Sequence, residues 1–365
     1  MRSTVEYPAR VDLANLPTRI HKLEVLSREL GLDVFVKRDD ETGSDLSGNK
    51  VRKLEFLLAE AVSERAEVVL TCGGVQSNHC RATAIAARRL GMDSILFLRG
   101  PSPDDSNDGV EPDGNLFLDR MIGAETRFIT ADQYEERDRI LSEAALQLES
   151  EGRRPYIVPE GGSNALGAFG YVRLIEELIE QAEANGDRPD SATMAAESSR
   201  TAALPWEHVV CATGSGGTLA GLWLGTRLFG LSTRVWGVNV ANDGPYFQER
   251  VAAIASSFLR RQGSSVTASI GATAGDLLVS PDQISLLDGY VGPGYAETYE
   301  EELRFIRHIA RTDGVLLDPV YTGKGLYGLV KEAQNGRFEG GPVLFIHTGG
   351  IFSLFGYRSE LLERD

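Results

Sequence analysis

Cysteine is scarce in this chain of 365 residues: Cys72, Cys80 and Cys211 are the only three, an odd number and too few for a disulfide framework. Free thiols in a reducing compartment are the expectation for so few cysteines in a chain this long. Long apolar runs are missing too. No stretch reaches the roughly 18 uncharged apolar residues of a membrane-spanning helix. Met1 to Leu16 carries Arg2, Glu6, Arg10 and Asp12 and has no apolar core, so it is not read as a secretory signal. Positive charge is in deficit, 37 Lys and Arg against 53 Asp and Glu, for a net charge of −16. Such a field repels phosphate backbones and anionic head groups, which argues against nucleic-acid and membrane-surface partners. A soluble, cytoplasmic protein is expected. The five histidines (His21, His79, His208, His308 and His347) lack metal-ligand spacing, and Cys72 with His79-Cys80 reads as local packing, so no metal is expected.

What the chain has is an ordinary globular composition, 42% hydrophobic and 25% charged, with 40 glycines gathered in clusters. Short apolar runs alternate with amphipathic stretches. Val34–Val36, Val68–Leu70, Ser94–Leu98, Arg127–Ile129 and Tyr156–Val158 read as strands. Helices are expected over 51–66, 78–90, 114–122, 134–151 and 167–184. The scheme repeats with strands at 209–212, 235–240 and 343–346 and helices at 218–229, 246–262 and 298–312. This alternation predicts an α/β protein, parallel-sheet cores with helices on both faces. The polar, small-residue stretch 185–207 breaks the pattern and reads as an insertion or flexible segment.

Several nucleotide and hydrolase signatures fail on spacing. In Gly43 to Lys50 an asparagine separates Gly48 from Lys50, Gly323-Lys324 would need a glycine at Asp318, and no Ser-centred G-x-S-x-G elbow is present. A dinucleotide fingerprint opening at Gly214 would end on Leu219. Three other elements hold better. The loop Thr213 to Gly217 joins a buried strand to a helix start, where backbone N–H groups and the helix dipole favour phosphate and Ser215 and Thr218 add hydroxyls. Read alone it is equally a tight turn. Lys50, behind Gly48-Asn49 at a helix start, sits where the dipole lowers an amine's pKa and favours Schiff-base chemistry. The bland alternative is a solvated basic face continued by Arg52 and Lys53. Gly73 to His79 joins strand to helix and is either a carboxylate-binding turn or an N-cap by Ser77. Together the three suggest a pyridoxal phosphate (PLP) enzyme acting on an amino acid.

The sequence resembles the D-cysteine desulfhydrase and 1-aminocyclopropane-1-carboxylate (ACC) deaminase family of fold-type-II PLP enzymes, relatives of tryptophan synthase β. The matching motifs are Leu16-Pro17-Thr18, Val36 to Asp40, Gly48 to Glu55, Gln76 to His79, Gly161 to Gly167, Gly214 to Thr218, Leu317 to Lys324 and His347 to Gly350. The resemblance implies that Lys50 is the Schiff-base lysine and that Gly214, Ser215, Gly216, Gly217 and Thr218 hold the phosphate. It further implies that Asn49 and Asn78 lie at the cofactor, with Ser77, Asn78 and His79 receiving the substrate carboxylate. Tyr290 and Tyr321 match the two active-site tyrosines, with Tyr295 as the alternative to Tyr290; Thr322 or Thr348 would contact the pyridine nitrogen. It also implies a homodimer. The larger PLP domain is expected over 1–57 and 172–365, and the smaller α/β domain over 58–171.

Two positions speak to substrate. Thr322 stands where the ACC deaminases have a Glu, and His79 where they usually have Gln; Thr348 also matches the desulfhydrases. A neutral hydroxyl at the pyridine nitrogen weakens the electron sink, which suits β-elimination of a good leaving group better than opening a cyclopropane. The expected reaction is D-cysteine to pyruvate, hydrogen sulfide and ammonia. ACC deamination to 2-oxobutyrate and ammonia is the alternative. So is elimination from cysteate, β-chloroalanine or a D-serine derivative, because Ile351-Phe352-Ser353 replaces the family's small, Pro-containing run. A non-catalytic PLP- or amino-acid-binding module is the rival of a different class.

Overall fold

Strands and helices alternate in the computed structural model, which describes residues 5–100, 112–184, 204–263, 278–338 and 341–362. The strands are β1 (Ile20–Lys22), β2 (Val34–Lys37), β3 (Val68–Gly74), β4 (Asp93–Arg99), β5 (Glu125–Ile129), β6 (Pro155–Ile157), β7 (His208–Thr213), β8 (Arg234–Asn239), β9 (Leu286–Leu287) and β10 (Val343–Ile346). The helices are α1 (Glu24–Leu30), α2 (Lys50–Ser63), α3 (Asn78–Arg89), α4 (Gly114–Met121), α5 (Ala131–Glu135), α6 (Arg137–Ser150), α7 (Ala165–Ala184), α8 (Gly217–Leu228), α9 (Gly244–Gln262), α10 (Glu300–Thr312), α11 (Thr322–Gln334) and α12 (Arg358–Leu362).

The chain folds into two compact units. One takes the described parts of Met1–Tyr7, Pro17–Asp39 and Asn164–Thr348; the other takes those of Pro8–Leu16, Asp40–Ser163 and Gly349–Asp365. The units meet at 39/40 and 163/164, beside the 57/58 and 171/172 expected from the sequence, and α2 with Lys50 is in the second unit.

The first unit contains a six-stranded sheet in the order β1-β2-β10-β7-β8-β9, parallel except for the antiparallel edge pair β1–β2. Its central strands read as unbroken apolar runs because they are covered on both faces; all of β7 and β10 is buried. Glycine brings α11 close to the sheet. A Cβ at Gly328 would lie 2.7 Å from a Val238 methyl, and one at Gly325 would lie 3.0 Å from the Ala212 Cβ. In the same unit the buried Lys37 of β2 donates to Thr18 O at 2.8 Å and to Glu177 of α7 at 2.5 Å.

The second unit carries a four-stranded parallel sheet in the order β5-β4-β3-β6. Val68, Leu70, Cys72, Ile95, Phe97 and Ile129 pack with Leu141 and Leu148 of α6 on one face. Cys80, Ala84, Leu96, Leu98 and Leu116 form the core of the other. None of the three cysteines forms a disulfide and all are buried, and among the described residues no helix is long and apolar enough to cross a membrane. Of the expected irregular stretch 185–207, residues 185–203 lie outside the described residues. Leu204 and Trp206 are buried, and Trp206 packs edge-on against Phe35 at 6.1 Å.

Candidate active site

In the second unit, Gly48 at φ +95° leads through Asn49 into α2. The backbone is crowded there: a Cβ at Gly349, itself at φ +100°, would stand 2.8 Å from Gly48 Cα. Lys50 opens α2 and its Nζ donates to Asn49 Oδ1 at 3.0 Å. The basic run that follows is not a solvated face, since Arg52, Lys53 and Glu55 are all buried. Lys53 Nζ donates to Gly161 O at 3.1 Å, and Glu55 accepts from Arg10 NH1 and from the Leu13 and Ala14 N–H groups. Lys50 is thereby set apart from its neighbours: Arg52 and Lys53 are built into the core, while Lys50 is half-buried.

The turn from β3 to α3 is an N-cap, with Ser77 Oγ accepting from Cys80 N at 3.2 Å. That bond uses a lone pair of the hydroxyl and not its proton. Glycine at 73 permits it, because a Cβ there would lie 2.4 Å from Ser77 Oγ. The His79 ring points away from the turn into the core, with Nε2 2.8 Å from Thr71 Oγ1, whose own proton goes to Val158 O at 2.8 Å. Thr71 must therefore accept from Nε2–H. Burial, then the charges of Lys50 and Lys53, pushes the ring well below its ordinary pKa. His79 is a neutral imidazole, and its backbone in the first turn of α3 is the part suited to an anion.

Residues not foreseen in the sequence hold this turn. Asn115 Nδ2 donates to Asn78 Oδ1 and to Gln76 O, both at 3.0 Å. Asn115 Oδ1 in turn accepts from Arg81 Nε at 3.0 Å. The buried Arg81 also donates to Ser47 O at 3.0 Å and to Asp45 O, and its guanidinium lies 4.8 Å over the Phe352 ring. One guanidinium thus fixes both the approach to Lys50 and the Asn78 side chain. The signal available in the sequence was an arginine four residues after an N-cap, which is ordinarily an exposed helix position.

Asp119 accompanies Arg81. Both its carboxylate oxygens are buried with no hydrogen-bond partner among the described residues, and burial raises it from 3.8 to about 8 although Arg81 opposes the shift. The folded protein retains this proton where the unfolded chain has lost it. Its contribution to stability is full below the unfolded value and is lost as pH rises through about 8. Asp119→Asn is therefore expected to raise Tm by an amount that grows across that window and then levels off. A gain independent of pH would contradict the assignment.

In the first unit, β7 runs into the loop Gly214–Gly216 and then α8. Gly216 sits at φ +85°, and a Cβ on Gly214 would lie 2.7 Å from Tyr321 Cε1. Arg250 Nε donates to Ser215 O at 3.0 Å. Thr213 Oγ1, at the end of β7, is buried with no partner among the described residues. Tyr321 therefore borders the loop, and its hydroxyl is 2.5 Å from that of Tyr295. Tyr290 is engaged elsewhere, donating to Glu332 Oε1 at 2.8 Å, and burial with that contact pushes its pKa up.

The run Asp318 to Thr322 closes on itself. Asp318 Oδ2 accepts from the Val320 and Tyr321 N–H groups at 3.1 and 3.0 Å. Oδ1 accepts from Thr322 N at 2.9 Å and Thr322 Oγ1 at 2.7 Å. Thr322 Oγ1 also accepts from Asp318 N at 2.8 Å. Thr348 stands two residues beyond β10 and is 8% exposed.

These residues fit a phosphate-bearing cofactor. A glycine loop that side chains would fill opens an α-helix of twelve residues, with a buried unpartnered hydroxyl at its strand end. An α/β enzyme that binds a phosphorylated cofactor is the class these features define. The family model for pyridoxal-phosphate dependent enzymes matches residues 11–349, and the chain belongs to that family. It is 40% identical over 348 residues to the bifunctional D-cysteine desulfhydrase/1-aminocyclopropane-1-carboxylate deaminase, mitochondrial, of Arabidopsis thaliana, covering 94% of this chain and 78% of that one. It is 37% identical to the D-cysteine desulfhydrase of Yersinia enterocolitica serotype O:8, covering 96% and 97% of the two chains. A crystal structure of an ACC deaminase homologue superposes with a TM-score of 0.79 at 37% identity, covering 98% of this chain and 96% of that one.

Proposed function

We propose that the protein is a PLP-dependent lyase that converts D-cysteine and water to pyruvate, hydrogen sulfide and ammonia. The observation that carries the choice of reaction is the closed Asp318–Thr322 run. Both oxygens of its only carboxylate are filled by main-chain and threonine donors, so the run offers no acid to a pyridine nitrogen. The Thr322 hydroxyl is likewise engaged, which leaves Thr348 as the neutral partner of that nitrogen. The Yersinia relative, a D-cysteine desulfhydrase, and the bifunctional Arabidopsis relative support the substrate.

The bound cofactor supplies an electron sink for negative charge at the substrate Cα. Lys50 would hold the cofactor through its amine, and the same amine would take the Cα proton of the substrate. The first turn of α3, with the Ser77 hydroxyl and the Asn78 and His79 backbone, receives the substrate carboxylate. The loop Gly214 to Gly217 and Thr218 hold the phosphate. Asn49 orients Lys50 through its side-chain oxygen, and Asn78 lies against the cofactor, oriented by Asn115. Tyr295 and Tyr321, rather than Tyr290 and Tyr321, handle the proton at the departing sulfur. A short bond between two phenols needs only one to donate, so the accepting phenol does not spend its own proton on its partner.

The test is product release from PLP-loaded protein given D-cysteine, L-cysteine and ACC in parallel. Sulfide and pyruvate from D-cysteine alone is the expected result. The Arabidopsis relative's name pairs both activities, so 2-oxobutyrate from ACC would move the assignment to deamination. Silence with all three would send it to other β-substituted amino acids. Thr348→Val is expected to shift the cofactor's visible absorption band. Thr322→Val, which opens the Asp318 run, is expected to lower Tm and leave the band in place. The opposite pattern would return the nitrogen contact to Thr322. Cytoplasmic residence is inferred from three buried cysteines, none of which forms a disulfide. The homodimer follows from the family resemblance and is checked by light scattering.

A further inference from the structure

Lys324, the third residue of α11, has a fully buried side chain whose ammonium donates to three main-chain carbonyls: Val291 O at 2.6 Å, Gly294 O at 3.0 Å and Glu297 O at 2.8 Å. A lysine has three N–H donors, and this set uses all of them. The three acceptors lie within seven consecutive residues that form no strand or helix, and Tyr295 is among them. The stretch is bent against its preferences. Ala296 adopts φ +62°, a left-handed conformation that costs of order 1 kcal/mol for a residue with a Cβ. Gly292 at φ +72° lies so close to Tyr299 that a Cβ would stand 2.6 Å from its ring.

The carbonyl cluster is met by buried acid. Glu302 of α10 is fully buried with neither carboxylate oxygen hydrogen-bonded among the described residues. Burial lowers the pKa of Lys324 and raises that of Glu302 to about 8, while the carboxylates of Glu302, Asp318 and Glu297 and the three carbonyl acceptors favour the ammonium form. Tyr321 immediately precedes α11, three residues before Lys324. The same helix start therefore presents one phenol and grips the loop that carries the other.

We propose that Lys324 is a positioning residue, a tethered cation around which the carbonyls of Val291, Gly294 and Glu297 converge so that Tyr295 is set against Tyr321. The inference rests on the reading above in assigning work to the tyrosine pair, but the arrangement itself can be tested without turnover.

The test uses PLP-loaded protein carrying 3-fluorotyrosine, with the Tyr295 fluorine resonance assigned from Tyr295→Phe. In Lys324→Ala that resonance is expected to move toward the value of a solvated phenol. Ethylammonium, which restores a cation with N–H donors, is expected to return it; tetramethylammonium, which has no N–H, is not. In turnover, Lys324→Ala is expected to lose about 10²-fold in kcat with KM little changed, the cost of a reacting group displaced by about 1 Å. The same substitution should cost nothing more in a Tyr295→Phe background, since the two residues then act as one unit. An unmoved Tyr295 resonance, or an undiminished loss of kcat in the Tyr295→Phe background, would overturn the proposal. Should Lys324→Ala fail to fold, Lys324→Arg takes its place. That variant keeps the charge and is expected to keep the resonance; a resonance shifted in a folded Lys324→Arg protein also counts against the proposal. If the wild-type protein leaves D-cysteine untouched, the reaction assignment fails while the resonance still decides the role of Lys324.

Discussion

Replacing Lys50 by alanine is expected to lower sulfide release from D-cysteine by at least about 10³-fold, because in the proposed reaction one amine serves as both the covalent tether and the base, and a positioned base alone accounts for 10² to 10⁴. The loss should fall on kcat, and the cofactor's visible absorption should change with it as the linkage to Lys50 disappears. Lys53→Met is the informative contrast. Lys53 is as basic as Lys50 and three residues further along α2, but its ammonium is buried against Gly161 O and Ser163 Oγ. Its loss takes a charged donor from the buried Gly161 carbonyl, which keeps the 3.3 Å bond from Ser163 Oγ, a cost of about 1.5–3 kcal/mol. It should lower Tm and spare the absorption band. Full turnover by Lys50→Ala would remove the residue from the mechanism.

The contrast between these lysines marks where the sequence was legible. The alternation of apolar runs and amphipathic stretches sufficed for the α/β class and for β7, α8 and the loop between them, because strands buried on both faces read as unbroken apolar runs. It did not suffice for α11. That helix carries Gly323, Gly325 and Gly328 within its first seven residues, which lowers its intrinsic propensity. Gly325 and Gly328 admit Ala212 of β7 and Val238 of β8, and Gly323 admits Ile306 of α10, tertiary requirements with no local signature. The antiparallel strand β1 was missed for a simpler reason: three residues, none of them fully buried, carry too little pattern. At the site, the motif positions could be named from the resemblance, but their supports could not. Arg81 and Asn115 act through partners 34 to 37 residues distant in the chain, and only the fold brings those together. The choice between Tyr290 and Tyr295 was open for the same reason. Spacing from Tyr321 says nothing about which hydroxyl is already held by Glu332.

That choice yields the second large effect. Tyr295→Phe is expected to reduce kcat for D-cysteine by about 10²-fold, the lower range for losing a positioned proton donor, whereas Tyr290→Phe should change kcat little and chiefly lower Tm. The difference lies in which proton is available. Tyr290 directs its proton to the Glu332 carboxylate, and burial together with that contact raises its pKa, so it neither releases the proton readily nor has another to give. Tyr295 and Tyr321 share a hydrogen bond between their hydroxyls, so only one of the two phenolic protons is spent on the other phenol. Tyr321→Phe removes the other half of the same unit. The double variant Tyr295→Phe/Tyr321→Phe should therefore be little worse than either single one, where independent donors would multiply their losses. A leaving group that departs as a stable anion needs that proton less. The penalty for Tyr295→Phe should accordingly be smaller with β-chloro-D-alanine than with D-cysteine, and equal penalties on the two substrates would mean that the tyrosine pair positions the substrate without moving a proton.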